Sequence, residues 1–145
     1  MEDTPKNPNF KETIKSFVLE MPIVKFIELE FIKIEHGSVE VMIPYRDKLS
    51  FAQGSFQAGP IGMLMDIAAC SAIGTMLPSG WEFSTIDFTT KILAPASGNS
   101  FIARGHAVSS GKTVSVGEAN VFAVNDGKET LCATGLVTTR NFEIR

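Results

Sequence analysis

Between Ala58 and Leu77 the chain reads AGPIGMLMDIAACSAIGTML, twenty residues whose single charge, Asp66, falls near the middle. A helix of about 20 apolar residues is long enough to cross a bilayer. A carboxylate at its centre, however, costs about 2.5 to 3.5 kcal/mol on the translocon insertion scale. Gly59, Pro60, Gly62 and Gly74 dilute the stretch further, and no basic cluster flanks it. The segment is therefore expected to be a helix buried in protein. Pro60 suits its first turn, where a missing N–H costs nothing, and Pro78-Ser79-Gly80 ends it. Such a helix is apolar on nearly every side, so other elements or a partner must wrap it.

The rest of the chain supplies a wrapper. Ile14, Phe17, Val18 and Met21 keep a helical period from Lys11 until Pro22 stops it. Phe26–Glu35 reads as a half-buried strand with one irregularity, His36-Gly37 as a turn, and Val39, Val41 and Ile43 as the inward side of a returning strand. Arg46–Gln57 reads as a loop. After the long helix come four β-rich runs, Ser84–Leu93, Ser100–Ser109, Thr113–Val124 and Thr130–Thr139, parted by turn residues. The order predicts an α+β fold in which a six-stranded antiparallel sheet covers the apolar helix. Residues 1–10 are expected as a flexible arm, and 11–145 as a single domain.

Composition narrows the function. The 145 residues carry 13 basic and 16 acidic side chains, a net charge of −3, with no basic run, which argues against an electrostatic nucleic-acid binder. The 44% apolar and 20% charged content suits a folded globular domain. Cys70 and Cys132 stand in apolar surroundings and read as small buried hydrophobes of a reducing compartment. With no Cys-x-x-Cys pair and only His36 and His106, a zinc site is not expected. The first dozen residues hold no apolar core of a signal peptide, which points to the cytoplasm.

Familiar catalytic signatures fail on inspection. Gly111-Lys112-Thr113 could end a phosphate loop, but His106 stands where the leading glycine belongs, and a strand pattern follows. Ser115 lacks the glycine that opens a nucleophile elbow. The informative stretch is GSFQAGPIGMLMD, residues 54–66, where a small-residue turn opens a buried helix and a carboxylate lies about two turns inside. Unpaired backbone N–H groups near Gly59 would favour a developing negative charge. Asp66 has two readings: a structural hydrogen bond to a neighbouring strand or subunit, or chemistry.

At GSFQAGPIGMLMDIAACSAIG, STIDFTTKILAPASG and ARGHAVSSGKTVSVGEANVF, and in element order, the chain resembles the hotdog-fold acyl-CoA thioesterases, in particular the small phenylacetate-pathway type. The resemblance covers nearly everything after residue 10. It implies a curved antiparallel sheet around the long helix, a homodimer or homotetramer, and hydrolysis of an acyl-CoA or aryl-CoA without metal or redox cofactor. In that family the helix start carries His-Gly-Gly or His-Ala-Gly, with the catalytic acid nine residues after the His. Here Gln57-Ala58-Gly59 stands there, and Asp66 follows nine residues after Gln57. A further Asn or Gln that many members carry six residues earlier is Phe51 here.

Gln57 can donate a hydrogen bond but cannot take up a proton near neutral pH. The resemblance gives Asp66 the role of base or nucleophile, Gly59 and Gln57 that of carbonyl donors, and Thr85 that of holding the water; an ordinary strand threonine is the alternative for Thr85. It sets Gly59 of one chain against Asp66 of the other, in a site between subunits. It also places Arg104, Gly111, Lys112 and Thr113 near the nucleotide part of coenzyme A. A non-hydrolytic acyl-CoA or lipid binder is the rival function; a hotdog dehydratase ranks last, for want of its histidine.

Overall fold

A computed structural model describes residues 4–145. The apolar segment forms α3, Ala58–Gly74, followed by a turn through Leu77 that keeps Thr75, Met76 and Leu77 buried. Six strands form one antiparallel sheet: β1 Glu30–Glu35, β2 Ser38–Pro44, β5 Trp81–Ile92, β6 Ser100–Ser110, β7 Val114–Asn125 and β8 Lys128–Glu143. Their order across the sheet is β1-β2-β6-β7-β8-β5. The sheet takes α3 onto one face, and α3 touches every strand from β2 across to β5. This is the wrapping that its all-round apolarity demands. Burying Ile61, Leu64 and Ile73 completely contributes about 1.5 to 3 kcal/mol per side chain.

The alternation on the strands places Val39, Val41, Ile43, Phe101, Ala103, Ala119 and Val121 against the helix. Helix and sheet meet most closely at Gly105 and Gly117. A Cβ on Gly105 would lie 2.2 Å from the Ala68 carbonyl oxygen, and one on Gly117 2.9 Å from that of Ala69. Only glycine admits that approach.

Four local features differ from the sequence expectation. Pro22 does not merely stop α1, Phe10–Leu19; it opens a second short helix, α2, Pro22–Phe26, from its first position. The strand expected from Phe26 therefore begins only at Glu30, and its irregularity is a bulge at Ile32. Residues 46–57 are not a plain loop, since they hold a 3-10 turn, Asp47–Leu49, and a ribbon of β3, Ser50–Ala52, with β4, Ser55–Phe56. Of the expected arm, residues 1–3 lie outside the described residues. Phe10 is buried in α1, and Asn7 is buried too, its amide nitrogen donating to Thr13.

β5 lies at the sheet edge and leaves Ile86, Phe88 and Ile92 about half exposed, with Leu93 just beyond. Its pairing with β8 shifts between Thr85 and Asp87, a bulge centred on Ile86. Among the described residues no helix is long and apolar enough to cross a membrane.

Candidate active site

The start of α3 is held in place from three sides. Phe56 stacks between Tyr45 and Phe101, with ring centroids 5.2 and 4.1 Å apart. The Tyr45 hydroxyl accepts from the Gly54 N–H at 2.7 Å and donates to Asp47 at 2.9 Å. The Phe56 and Gln57 N–H groups donate to the Ala96 and Leu49 carbonyls. Gln57 is then the N-cap of α3, and its Oε1 accepts from the Gly59 N–H. The Gly59 N–H, expected to be open to a ligand, is thus taken up by Gln57. With its oxygen held by the backbone, the Gln57 amide presents its NH2, a pure donor, to the exterior.

Asp66 lies seven residues past Gly59, about 10 Å along the axis at 1.5 Å per residue. Its Oδ1 accepts from the Thr85 hydroxyl at 3.0 Å and from the Cys70 thiol at 3.4 Å, and the Cys70 and Thr85 side chains are themselves 3.2 Å apart. Thr85 sits immediately before the β5 bulge; an inserted residue of this kind re-aims the side chain beside it. Cys70 comes from the helix itself, four residues and about one turn after Asp66. Burial pushes the Cys70 thiol well above the usual range, and the Asp66 carboxylate pushes it further. It is thus a neutral donor at neutral pH and no thiolate nucleophile.

The triad of side chains opens onto a cavity of about 230 Å³ between α1, α3 and β5. Phe17, Val18, Met21, Ile67 and Phe83 make its walls apolar. Ser71 also lines it, and the Ser71 hydroxyl is buried with no hydrogen-bond partner among the described residues.

The other expected residues divide. Gly111, Lys112 and Thr113 form the exposed β6–β7 turn, secured by buried Asn141. The Asn141 N–H donates to the Thr113 carbonyl at 2.8 Å, and its side-chain amide to the Gly111 carbonyl at 3.1 Å. Lys112 shares a surface cleft with Lys6 and Trp81. Arg104 is not with them: seven residues along an extended strand is roughly 20 Å. Its guanidinium donates to Glu129 at 2.6 and 2.9 Å and to Glu40 at 3.3 Å, and it stacks 4.8 Å over Phe122. These carboxylates already match its charge. Cys70 and Ser71 were missed; their spacing from Asp66 along the helix was the one available signal.

A six-stranded antiparallel sheet packed on one long central helix is the hotdog fold, and solved structures similar to this one include thioesterase-superfamily proteins. One is a thioesterase family protein from Silicibacter pomeroyi, 25% identical, with TM-score 0.90 over 92% of this chain and 98% of that one. A thioesterase from Haemophilus influenzae is 16% identical, with TM-score 0.79 over 88% and 87%. A phenylacetic acid degradation-related protein from Ralstonia eutropha is 21% identical, with TM-score 0.75 over 90% and 98%. No protein-family model and no curated protein matches the chain. The likeness to these structures shows the fold of this chain.

Proposed function

We infer that the protein hydrolyses acyl-CoA or aryl-CoA thioesters to the free acid and coenzyme A. The observation that carries this reading is the Asp66 carboxylate, 3.0 Å from the Thr85 hydroxyl, at the mouth of an apolar cavity. Asp66 takes a proton from a water held by Thr85, or attacks the thioester carbon itself, and the coenzyme A thiolate leaves. The carbonyl oxygen gains negative charge in that step and needs a donor about 3 Å away.

Within one chain the helix start lies about 10 Å from Asp66, too far to serve the same carbonyl. The reading therefore requires a second copy of the chain, whose α3 start supplies the donor. Because Gln57 occupies the Gly59 N–H, the Gln57 NH2 is the donor that meets the substrate, with Gly59 orienting it. The nucleotide end of coenzyme A runs toward the Gly111-Lys112-Thr113 turn, where Lys112 meets a phosphate. Arg104, already paired, takes no part. The assembly is a homodimer or a pair of dimers, and the site works in the cytoplasm without a cofactor.

Thiol release across a panel of acyl- and aryl-CoA thioesters tests this. Asp66→Asn keeps the shape and should lower turnover by orders of magnitude with an unchanged circular dichroism spectrum; an unaltered rate overturns the assignment. The capped Gly59 N–H favours one other reading, a non-hydrolytic acyl-CoA binder. That protein would gain heat stability with acyl-CoA yet release thiol from no panel member.

A further inference from the structure

The cavity beside Asp66 has a back wall, and behind the wall lies a second, smaller cavity. Phe17 of α1 and Phe83 of β5 line both. Their rings meet edge to face, with centroids 5.4 Å apart and an interplanar angle of 63°. The front cavity measures about 230 Å³ and the rear one about 80 Å³. The Phe83 ring is seated on Gly74 of α3: a Cβ there would lie 2.7 Å from its edge and 2.3 Å from Ile14. The rear cavity is bounded by Ile14, Leu77, Pro78 and Trp81 and is largely apolar.

We propose that the Phe17–Phe83 pair is the specificity-determining gate of the acyl pocket, closing it behind Asp66 so that short or aromatic acyl groups are taken and longer chains rejected. The proposal rests on the thioester reading of Asp66. An acyl group attached at a carbonyl beside Asp66 extends into the front cavity, away from solvent. Each methylene that finds room there strengthens binding about fourfold, the equivalent of ~0.8 kcal/mol. A chain that reaches the paired rings gains nothing from its next methylene, since the rings stand between it and the rear space. That rear space would hold two to three more methylenes if each takes about the 30 Å³ of a water molecule. Opening the gate should therefore extend the ladder by that many steps, or about 15- to 60-fold in affinity.

The experiment uses two ladders of rising chain length on the full protein: acyl-CoA thioesters read by thiol release, and the matching non-hydrolysable acyl-CoA thioethers read by calorimetric binding. Wild type should climb and then level off. Phe17→Ala should raise the ratio of long- to short-chain affinity at least tenfold, and Phe17→Leu, which keeps more of the packing if the alanine variant folds poorly, by a smaller factor. Phe17→Trp should shorten the ladder. If the three variants and wild type level off at the same length, the gate is overturned. If the thioether ladder shifts while no thioester is cleaved, the gate stands and the hydrolysis reading falls. Cleavage with an unmoved ladder does the reverse.

Discussion

Gln57, whose oxygen caps the start of α3, and Cys70, whose thiol donates to Asp66, were unequally visible in the sequence. Gln57 was legible through the resemblance, because it stands where the hotdog thioesterases carry their motif histidine, nine residues before Asp66. That its own oxygen would fill the Gly59 N–H was not, since side chains of Ser, Thr, Asp and Asn are the usual caps. If the Gln57 amide holds the carbonyl, Gln57→Ala should lose roughly 1.5 to 3 kcal/mol, about 10- to 150-fold in kcat/KM. Gln57→His should keep activity and add a step near pH 6.5 that the wild-type profile lacks. Cys70 read as a small hydrophobe because nothing in IAACSA shows that Thr85, fifteen residues on, folds back beside it. Its thiol titrates above the unfolded value, so the native state keeps a proton that the unfolded state gives up. Stability should be unaffected by this group below about pH 8.5 and fall above it, by up to about 1.4 kcal/mol per pH unit. Urea midpoints between pH 7 and 10 check this: Cys70→Ala should show a shallower alkaline decline.

At the level of elements, periodicity identified the long helix, the helix before it and all six strands of the main sheet. It failed where a residue type serves two ends, as Pro22 does in closing one helix and opening the next. It failed also on the β3–β4 ribbon, whose two short strands have too few residues to alternate. The β6 glycine at 105 looked like any strand glycine, yet it sets the helix-to-sheet distance. Gly105→Ala would press a methyl into the Ala68 carbonyl, which backbone hydrogen bonds hold in place. Overpacking of this kind typically costs about 1 to 3 kcal/mol, and a rigid neighbour should bring it to the upper end. A thermal melt should show it, whereas Gly127→Ala, with open space around it but a positive φ, should cost less.

For the whole molecule, the half-exposed Ile86, Phe88 and Ile92 on an unpaired edge strand are what a second copy would cover. Light scattering at micromolar concentration should give a dimer or tetramer. Phe88→Lys should shift the mass toward monomer and suppress thiol release while leaving the Asp66–Thr85 contact intact; full activity from a monomer would contradict a shared site. The sequence could announce that something must cover the apolar helix, but not which edge stays open, because that depends on strand order. One wall of the cavity beside Asp66 belongs to α1, a ten-residue helix outside the sheet and apart from α3 and β5, which carry Asp66, Cys70 and Thr85. Mutation can therefore reshape that wall by editing Phe17 and Val18 while Asp66, Cys70 and Thr85 stay unchanged. The α1 wall can thus vary among descendants without touching the Asp66–Cys70–Thr85 cluster, whereas Phe83, two residues before Thr85 on β5, is inherited with it.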